Sequence, residues 1–134
     1  MLPSKNEVVL KIHLIISVII VVPAAILYGF YPDAFLELFP ETQDELSFFK
    51  ANMGIYLAFS VIWLLGIFKN NFLKIALISN IAFMLGLGLG RTTSMILDGM
   101  PSVGYAYGMV GELLLGIYGI WVLNRLKRQF SKKQ

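Results

Sequence analysis

The sequence contains no cysteine and a single histidine. The first absence excludes disulfides, a thiolate nucleophile and a Cys-ligated metal. The second excludes a multi-histidine metal site and leaves His13 only as a lone acid or base. Charge is scarce too. Asp, Glu, Lys and Arg make up 14% of the chain, where soluble domains carry about 25%. A length of 134 residues suits one soluble domain, but 57% of the residues are apolar and the mean hydropathy is +0.75. So few charges cannot cover a folded surface against water. The natural solvent of this chain is lipid. No nucleophile elbow, phosphate loop or metal-ligand spacing is present, so no cofactor and no metal are expected.

What the sequence does have is long apolar runs, each near the roughly 20 residues that a helix needs to cross a bilayer. Val8–Phe30, Ala51–Phe68, Phe72–Gly90 and Tyr105–Leu123 are the four spans. They are continuous rather than alternating, which selects helices over a membrane barrel. Ser4-x-x-Glu7 and Thr42-x-x-Glu45 read as capping boxes that open the first and second helices. Asn70-Asn71 reads as a tight turn, and Asp98-Gly99-Met100-Pro101 as a break before the last span. Lys5, Lys11, the apolar core and Pro23-Ala24-Ala25 imitate a signal peptide, but the segment is expected to be a retained span. The fold class is therefore all-α: one integral membrane four-helix bundle over residues 1–134.

An even number of spans puts both termini and the Lys69–Asn71 turn on one side. That side carries Lys5, Lys11, Lys69, Lys74, Arg125, Lys127, Arg128, Lys132 and Lys133, against Lys50 and Arg91 on the other. By the positive-inside rule both termini are cytoplasmic. The net charge of +3 follows from this distribution. Because the basic residues flank lipid spans, they read as topology anchors at anionic headgroups, and no nucleic acid is expected as a partner. The outer loop, Tyr31–Lys50, mixes Asp33, Glu37, Glu41, Asp44 and Glu45 with apolar and aromatic residues. Asp33–Phe39 reads as a short amphipathic helix closed by Pro40, its aromatic side sealing the bundle and its acids in water. Those acids form either a solvated rim or a cation site.

Polar residues within the spans are costly unless partnered. Helical spacing puts His13, Ser17, Ala24 and Tyr28 on one face of the first span, and Asn52, Tyr56, Ser60 and Trp63 on one face of the second. In the third span Asn80 lies about three turns below Arg91, and Ser94 and Asp98 continue that line if the helix does. In the fourth, Gly108, Glu112, Gly116 and Gly119 share a face that should point into the bundle, and Ser79, Ala82, Gly86 and Gly90 form a second small-residue seam on the third. Lys50, Asn52, Arg91, Asp98 and Glu112 should then sit at one depth in the outer third of the membrane, with Arg91 the expected partner of Glu112 and Lys50 the reserve.

The stretch Arg91-Thr-Thr-Ser94-Met-Ile-Leu-Asp98-Gly99-Met-Pro101-Ser102, with Glu112 in the following span, resembles a family of small bacterial four-helix membrane proteins known only as a domain of unknown function. Phe48-Phe49-Lys50-Ala51-Asn52-Met53-Gly54 resembles that family's entry into the second span, with Lys50 where the family tends to have Arg. Lysine keeps the charge but loses the bidentate fork. The resemblance covers most of the chain and implies a fold, a multi-pass location in the bacterial cytoplasmic (inner) membrane and a candidate site. It implies no activity.

Three functional readings follow. In the first, an outward-facing pocket binds a small anionic or polar ligand or a lipid headgroup: Arg91 holds the charged or polar group, Glu112 and Asp98 orient Arg91, Asn52, Tyr56 and Ser94 supply hydrogen bonds, and Lys50 is in reserve. In the second, the protein is a structural or accessory subunit. Arg91 and Glu112 then lock helices together, and the glycine seams serve a homo-oligomer or a membrane partner. The third is an enzyme acting on lipid headgroups or a quinone. It is the least supported, because His13 lies near the cytoplasmic end of its span, far from Glu112. A proton path from Glu112 through Asn80 to His13 would need a continuous polar route.

Overall fold

A computed structural model describes the backbone of residues 5–131 and the side chains of residues 8–34 and 37–128. The Ser4-x-x-Glu7 box, the Lys5 side chain, Lys132 and Lys133 lie outside the described residues. Five α-helices follow one another: α1 Lys5–Phe30, α2 Pro32–Leu36, α3 Gln43–Phe68, α4 Leu73–Asp98 and α5 Val103–Ser131. There is no strand among the described residues. The four long helices are each apolar and long enough to cross a membrane. At 1.5 Å per residue, a helix of 26 residues runs about 39 Å, more than the hydrocarbon core requires. α1 packs on α3, α3 on α4, α4 on α5, and α5 returns to α1, which closes a four-membered ring.

The burial pattern is that of a bundle in lipid. Leu14, Trp63, Leu77, Met84 and Val122 fill the centre, while Ile19, Phe68, Ile75 and Ile117 face outward. An apolar exterior leaves no hydrophobic drive between helices, so contact rests on close approach and on interhelical hydrogen bonds. Gly66 is where α3 meets α4: a Cβ there would collide with the Cβ of Ala76 and lie 3.2 Å from Leu14. On α5, a Cβ at Gly116 would come within 2.5 Å of Leu85, and one at Gly119 within 2.7 Å of Ile81. This face of α5 therefore points inward, as its spacing indicates. The second seam is different. Gly86 and Gly90 meet open space, and the glycine of α4 that α5 approaches is Gly88, with Leu113 against it.

Boundaries follow local chemistry. Thr42 and Glu45 form a complete capping box, with Glu45 N–H donating to Thr42 Oγ1 at 3.2 Å and Thr42 N–H donating to Glu45 Oε2 at 3.0 Å. α3 therefore begins well before its apolar span. A 3-10 turn at Asn70–Phe72 joins α3 to α4. α4 continues past Gly90, where Thr92 and Thr93 turn their hydroxyls back to the carbonyls of Gly88 and Leu89, at 2.7 and 2.9 Å. It stops at Gly99, whose φ of 105° suits a residue without a Cβ.

The outer-loop helix differs from the expected Asp33–Phe39. α2 starts on Pro32 and ends at Leu36, because Glu37 enters the left-handed region at φ 52° and Pro40 disfavours helix at the residue before it. Phe39 is 72% exposed, so it does not seal the bundle.

These contacts predict an asymmetry between glycines. Gly66→Val should lower the stability of the detergent-solubilised protein by about 1–3 kcal/mol through overpacking, whereas Gly86→Val should leave it within about 0.5 kcal/mol. Denaturation midpoints of both variants against wild type check this.

Candidate functional site

The lower half of the bundle holds its most deeply buried polar groups. His13 is fully buried, and its Nε2 donates to the Leu115 carbonyl at 2.9 Å, which fixes the proton on Nε2. Its ring meets Tyr118 edge-on at 5.4 Å, and the Ser17 hydroxyl donates to the His13 carbonyl at 3.0 Å. His13 Nδ1 and both amide atoms of Asn80 are buried without a hydrogen-bond partner among the described residues. Leu115 lies one turn below Glu112, so His13 stands closer to the Glu112 helix than its position near the end of its own span suggests. Between the two levels the interior is lined by Ile20, Val21, Phe83 and Met84. These side chains give that stretch of the cavity an apolar wall.

The half of the bundle away from the termini is organised around Arg91. Arg91 sits seven residues before the end of α4, about 10 Å below it along the helix. Its side chain is 21% exposed and that of Glu112 15%. Arg91 Nε lies 3.2 Å from Glu112 Oε2, which joins α4 to α5. Oε2 is buried and accepts no well-directed hydrogen bond among the described residues, so the pair is held by charge, with acceptor capacity unused. Nη2 donates to the Tyr28 hydroxyl at 2.9 Å, which brings in α1. The guanidinium carbon lies 5.0 Å from the centre of the Tyr105 ring, within cation–π range. Gly108 gives the guanidinium room, because a Cβ there would stand 3.1 Å from Arg91 Nη1.

Below Arg91 an aromatic column drawn from α1, α3 and α4 steadies the site. Tyr28 and Tyr56 lie 5.5 Å apart, Tyr56 and Phe83 4.9 Å, and Phe83 and Trp63 5.2 Å, centre to centre. Trp63 in turn donates to Ser79 Oγ at 3.2 Å.

Two cavities meet at the guanidinium. An inner one of about 420 Å³ runs down between α1 and α5 to Leu115 and is walled mostly by apolar and aromatic side chains. An outer one of about 320 Å³ is bordered by Asn52, Ser94, Met95 and Pro101. Tyr28, Tyr56, Leu87, Arg91 and Tyr105 border both.

Of the seven residues singled out by sequence, Arg91, Glu112, Tyr56, Asn52 and Ser94 line one or both cavities. Lys50 and Asp98 do not join them. Lys50 is exposed, because two residues along a helix is a turn of about 200°, which sends it to the side of α3 opposite Asn52. Asp98 shares the Arg91 face but lies about 10 Å higher. There it accepts from the Ser94 hydroxyl at 2.8 Å rather than orienting Arg91. Tyr28 and Tyr105 were absent from the sequence-based set, although Tyr28 lies on the His13–Ser17–Ala24 face and Tyr105 one turn above Gly108. Among the described residues no cluster of three or more metal-ligating side chains exists, and the loop acids are not gathered into one.

Residues 9–123 match the family model described as a domain of unknown function, DUF4345. The chain belongs to this family. No curated protein and no solved structure matches it.

The contacts of His13 are those of a packing group. His13→Phe should keep the ring and lose only its hydrogen bond to a carbonyl, costing about 1 kcal/mol. Thermal unfolding in detergent measures that cost, and a loss above about 3 kcal/mol would contradict it.

Proposed function

We propose that this membrane protein binds a small ligand with an anionic or polar group, or a lipid headgroup, at Arg91 in the outer half of the bilayer. One observation carries the reading: a half-buried guanidinium stands where two cavities meet, held by Glu112, Tyr28 and Tyr105 from two other helices. A pre-positioned fork of donors in low-dielectric surroundings is a strong polar anchor. In this reading Glu112 holds Arg91, Tyr56 supplies a hydrogen bond from below, and Asn52 and Ser94 do so from the outer cavity. Lys50 and Asp98 take no part in the contact. The nine basic residues on the side of the termini support a cytoplasmic-membrane orientation with both termini inside.

A second reading is favoured by the same 3.2 Å pair: it ties α4 to α5 and serves as a structural lock. The two separate on removal of the pair as a unit. Arg91→Gln or Glu112→Gln alone leaves a charged partner exposed to an apolar interior and should cost about 1–3 kcal/mol. The double variant R91Q/E112Q should recover most of that stability yet bind whichever of inorganic phosphate, 1-dodecanol, dodecanoate and dodecyl phosphate wild type binds best at least tenfold more weakly than wild type does. A double variant that cannot fold favours the lock, and one that binds every probe as wild type does removes the binding reading.

Orientation has its own test, made clean by the lack of cysteine. Ser102→Cys should react with a membrane-impermeant maleimide in intact cells, and Asn71→Cys should react only after permeabilisation. The reverse result inverts the topology.

A further inference from the structure

The inner cavity lies beneath the Arg91 anchor, and its shape and chemistry restrict what it can hold. Its opening faces sideways. Ile20 on α1 and Tyr107 on α5 stand at its border and are 52% and 76% exposed, so the gap between these helices opens to the bilayer rather than to water. α1 and α5 are drawn together lower down, where His13 meets Leu115 and Gly119, and the cavity lies between them above that level. The missing side chains of α5 create the space: a Cβ at Gly111 would meet nothing within 4 Å. A volume of about 420 Å³ is in the range of small-molecule sites, but the walls offer hydrocarbon and aromatic surface except at the Arg91–Glu112 end.

That end constrains the headgroup. The charge of Arg91 is already balanced by Glu112, so a carboxylate or phosphate head would add a second negative charge beside a buried carboxylate. Glu112 lines this cavity with its side chain 15% exposed, and its carboxylate only accepts, while the guanidinium offers donors. A group that both accepts from Arg91 and donates to Glu112 completes the pair without changing its charge. A hydroxyl does this; a carbonyl or an ether can only accept.

We propose that the inner cavity holds the apolar tail of an uncharged membrane amphiphile with a hydroxyl head. The molecule enters from the bilayer between α1 and α5 and seats its hydroxyl between Arg91 and Glu112. This rests on the reading of Arg91 as a ligand anchor and adds the class of ligand, its charge and its route of entry.

Equilibrium binding of tritiated 1-dodecanol, dodecanoate and dodecyl phosphate to the full chain in phosphatidylcholine nanodiscs tests it. Wild type should bind dodecanol at least tenfold more tightly than either anion. Gly111→Leu should weaken dodecanol binding at least tenfold by filling the cavity, while Gly86→Leu, the same exchange at a site facing open space, should bind as wild type does. Ala24→Leu fills the same cavity from α1 and takes the place of Gly111→Leu if that variant does not fold. Tighter binding of either anion, wild-type binding by both cavity-filling variants, or equal loss in Gly86→Leu overturns the proposal while leaving Arg91 as an anchor for another ligand. If instead Arg91→Gln binds all three probes as wild type does, the reading beneath it fails as well.

Discussion

A guanidinium inside a bilayer must be matched by the protein around it, and in this molecule the matching of Arg91 organises the half of the bundle away from the termini. Glu112 balances its charge, Tyr28 takes one of its hydrogen bonds and Tyr105 offers the face of a ring. These groups come from α5 and α1, so one side chain of α4 gathers three helices. The absence of a Cβ at Gly108 belongs to the same arrangement, since a methyl group there would press on Nη1. An unmatched charge at this depth would cost several kcal/mol, and that cost gives the arrangement its specificity.

The remainder of the bundle is held by closeness. In lipid, apolar surface gains little by leaving its surroundings for another helix, so the stabilising terms are dispersion at short range and a few internal hydrogen bonds. Gly66 against Ala76, Gly88 against Leu113 and Gly116 against Leu85 supply the close approaches. Trp63–Ser79 and His13–Leu115 supply hydrogen bonds between helices. Where α5 carries glycines that face no neighbour, the same lack of side chains produces a cavity instead of a contact. One residue type thus has two structural consequences, and the position of the adjoining helix selects between them.

The site was only partly legible in the sequence. Arg91 and Glu112 stood out because each is expensive in an apolar span and their depths coincide, and charge balance pairs them. Tyr28 and Tyr105 carried no charge to single them out, and although Tyr28 shares a face with His13 and Ser17, tyrosine near the end of a span is ordinary interfacial chemistry. Lys50 points away from the site, and Asp98 shares its direction but lies about 10 Å higher along α4. Depth follows from counting residues at 1.5 Å each; direction around a helix and lateral distance depend on how helices are rotated and tilted against one another. His13 shows the same limit. Its distance from Glu112 along the chain of spans is large, yet α5 brings Leu115 to it.

The sequence by itself determined the solvent, the four spans, the capping box at Thr42 and the charge asymmetry across the membrane. Each is a property of composition or of spacing within one helix, and each is decided by contact with lipid, water or the local backbone. The tertiary structure alone decided which glycine seam is an interface and that two cavities meet at Arg91. Those outcomes depend on side chains from different helices competing for the same space, and a linear pattern does not encode the rotation of one helix against the next.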